Sequence, residues 1–514
     1  MEQIFLAILS FIFLPISIFS YLWVFKNWSS KKSPPLPPGP LDLPILGFLP
    51  FLTQNLHIQL TDLARKHGPI YKLRLGTKLC IVITSPALIK QVVRDHDPVF
   101  ANHDPTIAGL VATGGGLDIV NSPYGPYWRH LRKLFVREMM SNNNLEASYF
   151  LRKNEVGKAV RKLCGRVGTG IDIGELIFVT EVNVVLSLLW GGTVEGEKRD
   201  RIGAEFREKV GKFVELLGRP NLSDVFPVLA RFDLQGIVKE MKGVLPSVDE
   251  ILDSVINERL KIMDDSGELW SGKRGKDFVQ ILLDLKEKNV GEESMDLTQI
   301  KALLMDIVIG GTDTTATTVE WVMAEILNNP QAMKRAQQEL TDIVGLNNIV
   351  EESHMSKLKY LEAVVKETFR LHPPLPLLIP RLPSQSTVIG GYTIPKNSRV
   401  LLNVWANYKD PNVWENPSEF QPDRFLNEGS GNWDYMGNNF HYLPFGSGRR
   451  VCPGLPLAER MVMYLLATLL HSFDWKLPEG EKLDLSEKFG IVMKKSTPLF
   501  AVPSQRLPDL SMYE

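Results

Sequence analysis

The chain has 514 residues, 44% hydrophobic and 23% charged, with a formal net charge of −1. That size and balance suit one large core-forming unit, and the near-zero charge argues against a nucleic-acid-binding protein. The three cysteines, Cys80, Cys164 and Cys452, are odd in number and far apart. That argues against a disulfide framework, a zinc ribbon or a cysteine-rich iron–sulfur site, and for a reducing compartment.

From Ile4 to Phe25 the chain carries no charge, and Leu, Ile and Phe dominate. About 22 helical residues span roughly 33 Å, enough for the hydrocarbon core of a bilayer. Pro15 kinks such a helix without barring insertion. The run exceeds the apolar stretch of a cleaved signal peptide, only Glu2 precedes it, and Lys26-Asn27-Trp28 follows where small residues would mark cleavage. A retained anchor is expected, and Lys26, Lys31 and Lys32 place the bulk of the chain in the cytosol. The sequon Asn27-Trp28-Ser29 would then stay unmodified. The run Pro34-Pro35-Leu36-Pro37-Pro38-Gly39-Pro40 reads as a stiff spacer between membrane and body, in preference to a ligand for a proline-binding module.

No second linker or repeat follows. Strands are expected near Tyr71–Leu75, Leu79–Ile83 and Val400–Val404. Between about Glu146 and Leu371 the pattern is mainly helical, with helices over Gly243–Met263, Lys276–Glu287, Leu297–Leu327 and Gln331–Val344. The expectation is a mainly α body with a minor β-rich region, lying mostly at its N-terminal end.

Four segments carry chemistry. In Phe445-Gly446-Ser447-Gly448-Arg449-Arg450-Val451-Cys452-Pro453-Gly454 a cysteine ends a glycine-rich loop just before a helical pattern, Leu455–Leu470. Its thiolate would lie at a helix N-terminus, with Gly454 and Leu455 supplying N–H groups. Arg450 is placed to pair with an acidic group of a bound cofactor. A lone cysteine is more often buried and structural, and Cys80 and Cys164 take that reading. The second segment, Gly310-Gly311-Thr312-Asp313-Thr314-Thr315, puts two glycines inside a long helix. Each costs about 0.5–1 kcal/mol relative to alanine. Either a ligand or water needs the space, or the helix is locally opened, or it is packed closely there with its threonines bonding back to carbonyls. Third, Glu367 and Arg370 stand three apart on the helical run Leu358–Leu371, and Pro422-Asp423-Arg424-Phe425 comes later. Fourth, Trp128 and Arg132 share a basic helix with Lys133 and Arg137, by its residues a solvated face.

The cysteine loop resembles FxxGxRxCxG, the haem-binding signature of the cytochrome P-450 family of haem-thiolate monooxygenases, with Phe445, Gly448, Arg450, Cys452 and Gly454 at its fixed positions. The helix segment is similar to that family's oxygen-activation motif, Glu367–Arg370 to its ExxR, Asp423-Arg424 to its PERF-like element (Asp standing for the commoner Glu), and Trp128–Arg132 to its WxxxR. The resemblance covers nearly the whole chain, in the expected order, and looks like the plant endoplasmic-reticulum type close to terpenoid and flavonoid hydroxylases.

It implies the cytochrome P-450 fold as a single catalytic domain over 41–514, with an anchor at 1–25 and a basic, proline-rich hinge at 26–40. It implies haem b (iron-protoporphyrin IX), its iron held by Cys452, whose thiolate pushes electron density toward O–O cleavage. Trp128, Arg132 and Arg381 would meet the propionates, and Glu367, Arg370 and Arg424 would form a buried charge network. The basic helix with Lys133 and Arg137 would be a docking surface for an acidic electron donor. Asp313 and Thr314 would serve proton delivery on the oxygen side. The reaction implied is monooxygenation of an apolar small molecule by O2, a flavonoid or sesquiterpenoid hydroxylation, with electrons from NADPH through an NADPH-cytochrome reductase. The protein would be single-pass in the endoplasmic reticulum membrane and bind no nucleic acid. Substrate-facing residues are implied in His103–Leu117, Leu304–Thr312, Leu375–Ile379 and Phe489–Met493. A haem-thiolate isomerase or dehydratase that binds no O2, and a non-enzymatic haem sensor, are the alternatives; the Asp313-Thr314 pair argues against both.

Overall fold

The computed structural model describes residues 34–191, 196–266, 277–288, 295–426 and 433–513. The expected anchor at 1–25 lies outside the described residues. The helices that build the site are, in chain order, α1 (Leu56–His67), α2 (Pro126–Glu138), α3 (Ile173–Trp190), α4 (Leu297–Asn328), α5 (Lys359–Leu371) and α6 (Leu455–Ser472). Pro126 opens α2 at a position where a missing N–H costs nothing. Asp296 and Gln299 close a reciprocal capping box at the start of α4. Helix α3 is apolar almost all round because it is a core helix, buried against α4.

Five strands form the main sheet: β1 (Ile70–Leu75), β2 (Lys78–Ile83), β3 (Asn102–His103), β4 (Arg381–Leu382) and β5 (Arg399–Leu402), in the order β1-β2-β5-β4-β3. The β1–β2 pair is antiparallel, while β5 runs parallel to β2 with Cys80 opposite Arg399. The strands are therefore not confined to the N-terminal end, because the sheet joins the first hundred residues to those after 380. Near the C-terminus β6 (Glu487–Lys488) and β7 (Lys494–Lys495) pair as a hairpin whose tip is 489–493. Cys80 is fully buried in the sheet, where burial pushes its thiol up to about 11. Cys164 ends a helix, and burial raises its thiol as well. Neither sits in a glycine loop.

The proline run is tied to the body. The Pro35 carbonyl accepts from the Thr393 N–H at 2.9 Å, and that of Pro38 from the Lys72 N–H at 2.7 Å. A free spacer would have to lie before residue 34. Just beyond, Leu41, Ile45, Leu46 and Phe51 are exposed, as are Val228, Phe232 and Leu234 on a separate loop. Bonds from Thr77 to the Val225 carbonyl and from Gly76 to the Leu46 carbonyl link the two regions.

Candidate active site

The Cys452 N–H donates to the Phe445 carbonyl at 3.0 Å and closes the loop. Gly446 and Gly448 sit at φ 72° and 71°, and a Cβ on Gly448 would collide with the Val93 carbonyl and crowd the Asp97 carboxylate. Phe445 packs edge-on against Phe369 of α5 and against Tyr435, at 5.4 and 5.3 Å. Helix α6 starts at Leu455, so Pro456 occupies its first turn and Pro453 stands before it. Burial pushes the Cys452 thiol up, while N–H groups of Gly454 and Leu455 and the Arg132 guanidinium pull it back. These are the two N–H groups expected beside the sulfur from the sequence.

Three arginines converge beside this loop. Arg132 donates to the Val451 carbonyl at 2.6 Å. Arg450 is held by the carbonyls of Ala101, Ile119 and Ser122 at 2.6–2.7 Å, so only the second hydrogens of its terminal nitrogens remain for an acid. Burial, then Arg381 and Arg132, push it down to about 9. Arg381 in β4 is buried and drawn down to about 10, chiefly by burial; its Nη2 donates to Ser447 at 3.3 Å and its Nε has no partner. The single indole donor of Trp128 goes to the Ile119 carbonyl at 3.0 Å. Its ring therefore acts as a wall for the Arg132 and Arg450 guanidiniums, 5.6 and 4.5 Å away, rather than as a donor to an acid. His103, in β3, bonds the Val120 carbonyl through Nδ1; burial, then Arg381 and Arg450, hold its pKa far below the ordinary value.

Helix α4 runs unbroken through both glycines, and they do different work. A Cβ on Gly311 would touch Val185 at 3.3 Å, so this glycine lets α3 come close. Gly310 is exposed and faces open space, on the side where Thr314 lies one turn on. Thr312, Thr314 and Thr315 all bond back to carbonyls of the preceding turn, Thr314 to Gly310 at 2.9 Å. The helix is therefore not opened here; close packing holds at Gly311 with the threonines bonding back, and Gly310 has open space beside it. Asp313 is buried; Lys494 reaches one of its oxygens at 2.5 Å, and the other has no partner.

Behind the loop, Arg370 meets Glu367 through two bonds of 2.7 and 2.8 Å, both side chains fully buried. Arg424 adds a bond to Glu367 at 3.1 Å, and the Gln421 N–H another at 2.8 Å. The remaining Arg370 donors take the carbonyls of Tyr408, Pro417 and Glu419. Asp423 points away and pairs with Arg335 in solvent, so Asp in place of Glu changes nothing in the network.

Sequence reading overlooked Lys494, and the acids Asp306 and Asp118. Asp306 interrupts the apolar run Leu303–Val308 of α4, a visible signal of a buried acid, and accepts from the Ile119 N–H at 3.0 Å. Burial first, then Asp118, raises it well above the usual carboxylate range. It overlooked His372 as well, which lies between two carboxylates.

The family model for Cytochrome P450 matches residues 37–502. A flavonoid 3'-monooxygenase of Crocosmia x crocosmiiflora is 39% identical over 93% of the chain and 94% of its own length. Geraniol 8-hydroxylase of Swertia mussotii is 40% identical over 93% and 95%. Among solved structures, a zebra fish cytochrome P450 with progesterone aligns with a TM-score of 0.74 at 25% identity, covering 87% of the chain and 99% of its own.

Proposed function

Because the chain belongs to the cytochrome P450 family and is a haem-containing monooxygenase, we propose that it hydroxylates an apolar plant specialised metabolite, a flavonoid or a sesquiterpenoid, at a site built on Cys452. The residues present fit the group. A sulfur stands where helix N–H groups favour negative charge, and three crowded arginines, one with an unpartnered buried nitrogen, call for an anion. Cys452 would hold the iron of haem b, and Arg132 and Arg381 its propionates, with Trp128 and Arg450 bracing them from behind. Haem when bound would supply oxygen activation: O2, two electrons and two protons give one oxygen atom to substrate and one to water.

The protein's own part is to hold substrate and move protons. Gly310 leaves room beside Thr314. Thr314 Oγ1 stands close to that space, its hydroxyl donating to the Gly310 carbonyl, and Asp313, the residue before it, pairs with the half-exposed Lys494, which we read as a route for protons from the surface. Residues in His103–Leu117, Leu304–Thr312, Leu375–Ile379 and Phe489–Met493 are the substrate walls, apolar enough for a terpenoid or a flat phenolic ring. Electrons come from NADPH through an NADPH-cytochrome reductase. Residues 1–25 anchor the protein in the endoplasmic reticulum membrane, 26–40 join anchor to body with 34–40 held on the body, and 41–514 face the cytosol; the exposed Leu41, Ile45 and Phe51 just after that connection support a body held against lipid.

The arrangement around Cys452 carries the reading. Carbon monoxide added to the reduced protein tests it: a strongly red-shifted main band is expected, and the band of a histidine-ligated iron would refute it. Titration with flavones and sesquiterpenes, read by the iron's spin-state change, then identifies the substrate class.

A further inference from the structure

A buried polar chain outside the reacting centre runs from α4 to α1. His372, the residue after α5, has Glu325 at 2.7 Å from Nε2 and Glu487 at 2.8 Å from Nδ1. Each ring nitrogen thus faces a carboxylate oxygen at hydrogen-bond distance. It also lies flat on Trp321, centroids 3.8 Å apart and planes within 4°. The second oxygen of Glu487 meets His57 of α1 at 3.3 Å, and the His57 ring stacks on Phe489.

The chain ends on one object, the β6–β7 hairpin. Glu487 is the first residue of β6, opposite Lys495. At the other end of the tip, Met493 is held twice: its N–H donates to the Pro374 carbonyl at 2.8 Å, and its carbonyl accepts from the Trp321 indole at 3.1 Å. The next residue, Lys494, is the one that reaches Asp313. The tip 489–493 is thus fastened at both ends to the ring pair Trp321–His372 and its immediate neighbours, and Phe489 stacks on His57.

We propose that His372 is a positioning residue: it docks the β6–β7 hairpin on α4 and so sets where residues 489–493, and Lys494 after them, stand relative to Thr314. Sequence spacing hides this link, since Glu325, His372 and Glu487 are far apart along the chain and meet only in the fold. The inference rests on the reading of 489–493 as a substrate wall. A purely structural polar cluster would change overall stability alone; a docking device also changes the hairpin and the fit of bulky ligands in particular.

The test uses the full-length haem-loaded protein with His372→Phe, which keeps the stack on Trp321 but loses both polar contacts, and Glu487→Ala, which acts from the more exposed end. Hydrogen–deuterium exchange of peptides over 487–495 should rise roughly ten-fold in both variants, with α5 unchanged. Bare imidazole, which meets only the iron, should bind as before, while a bulky N-trityl imidazole should weaken several-fold. If His372→Phe fails to fold, Glu487→Ala decides. A hairpin that stays protected overturns the proposal alone. A loosened hairpin with both affinities unchanged shows that 489–493 is no pocket wall, which sinks that reading and the proposal with it. A parallel loss of both affinities places the effect at the iron and also overturns it.

Discussion

The Lys494 ammonium sits 2.5 Å from one oxygen of the buried Asp313 carboxylate, and the other oxygen is closed off without a partner. An acid held that way is tied through Lys494 to the surface and keeps one oxygen free inside the protein, next along the chain to Thr314. An uncompensated oxygen in such a place is costly unless something binds there in another state.

Thr314→Ala should therefore separate electron use from product. Product per NADPH is expected to fall by at least about ten-fold, with hydrogen peroxide making up the difference. Simultaneous measurement of NADPH loss, peroxide and product checks this. Coupling equal to the parent's would remove Thr314 from the proton route.

Glu367→Gln leaves Arg370 and Arg424 facing a neutral group in a fully buried site. Breaking a buried pair in this way costs about 3–5 kcal/mol, so the variant should express poorly and retain little haem. Asp423→Asn removes only a pair whose partners are about half exposed, and should cost less than about 1 kcal/mol. Thermal denaturation and haem content of the two variants should rank them in that order.

Glu487 has an acid-side signature. Burial pushes its carboxyl up, but bonds from His372 and His57 outweigh that and bring it from 4.5 down to about 2. A depressed folded pKa gives stability that is present above the unfolded value and lost as pH falls toward the folded one. That stability is of order 3 kcal/mol. The melting temperature of Glu487→Gln should lie below the parent's at pH 6 and converge with it on approach to pH 2–3.

Asp306 has the opposite signature. Its folded pKa is raised by burial and by Asp118. Its buried carboxyl therefore costs nothing below the unfolded value, and stability is lost as pH rises from there toward the folded pKa. Asp306→Asn keeps an oxygen to accept the Ile119 N–H and carries no charge. It should melt with the parent in acid and above it at pH 8; a lower melting temperature at pH 8 would show that Asp306 is ionised in a paired site.

Removing the residues before Lys31 should leave a largely soluble protein that still holds haem, because the described contacts of the proline run begin at Pro34, whose carbonyl meets Thr393. Loss of haem on truncation would contradict the division at the hinge.

Much of this was legible in the sequence because it is local. The helix bounds of α4 differ from the periodic pattern by one residue at the C-terminal end, and those of α5 by one at its start. The Gly446–Gly448 turn, the N–H groups of Gly454 and Leu455, and the Glu367–Arg370 pair follow from spacings of a few residues, where backbone geometry leaves little choice.

What the tertiary structure decided are meetings across long separations. It spends the Arg450 fork on three carbonyls and the Trp128 indole on a fourth, and so leaves Arg381 with the unsatisfied nitrogen. It brings Lys494 to Asp313 and puts His372 between Glu325 and Glu487. No pattern along the chain encodes these pairs. A side chain's partners inside a core are set by which elements pack together, and that is fixed by the burial of the whole apolar surface rather than by any short run of residues.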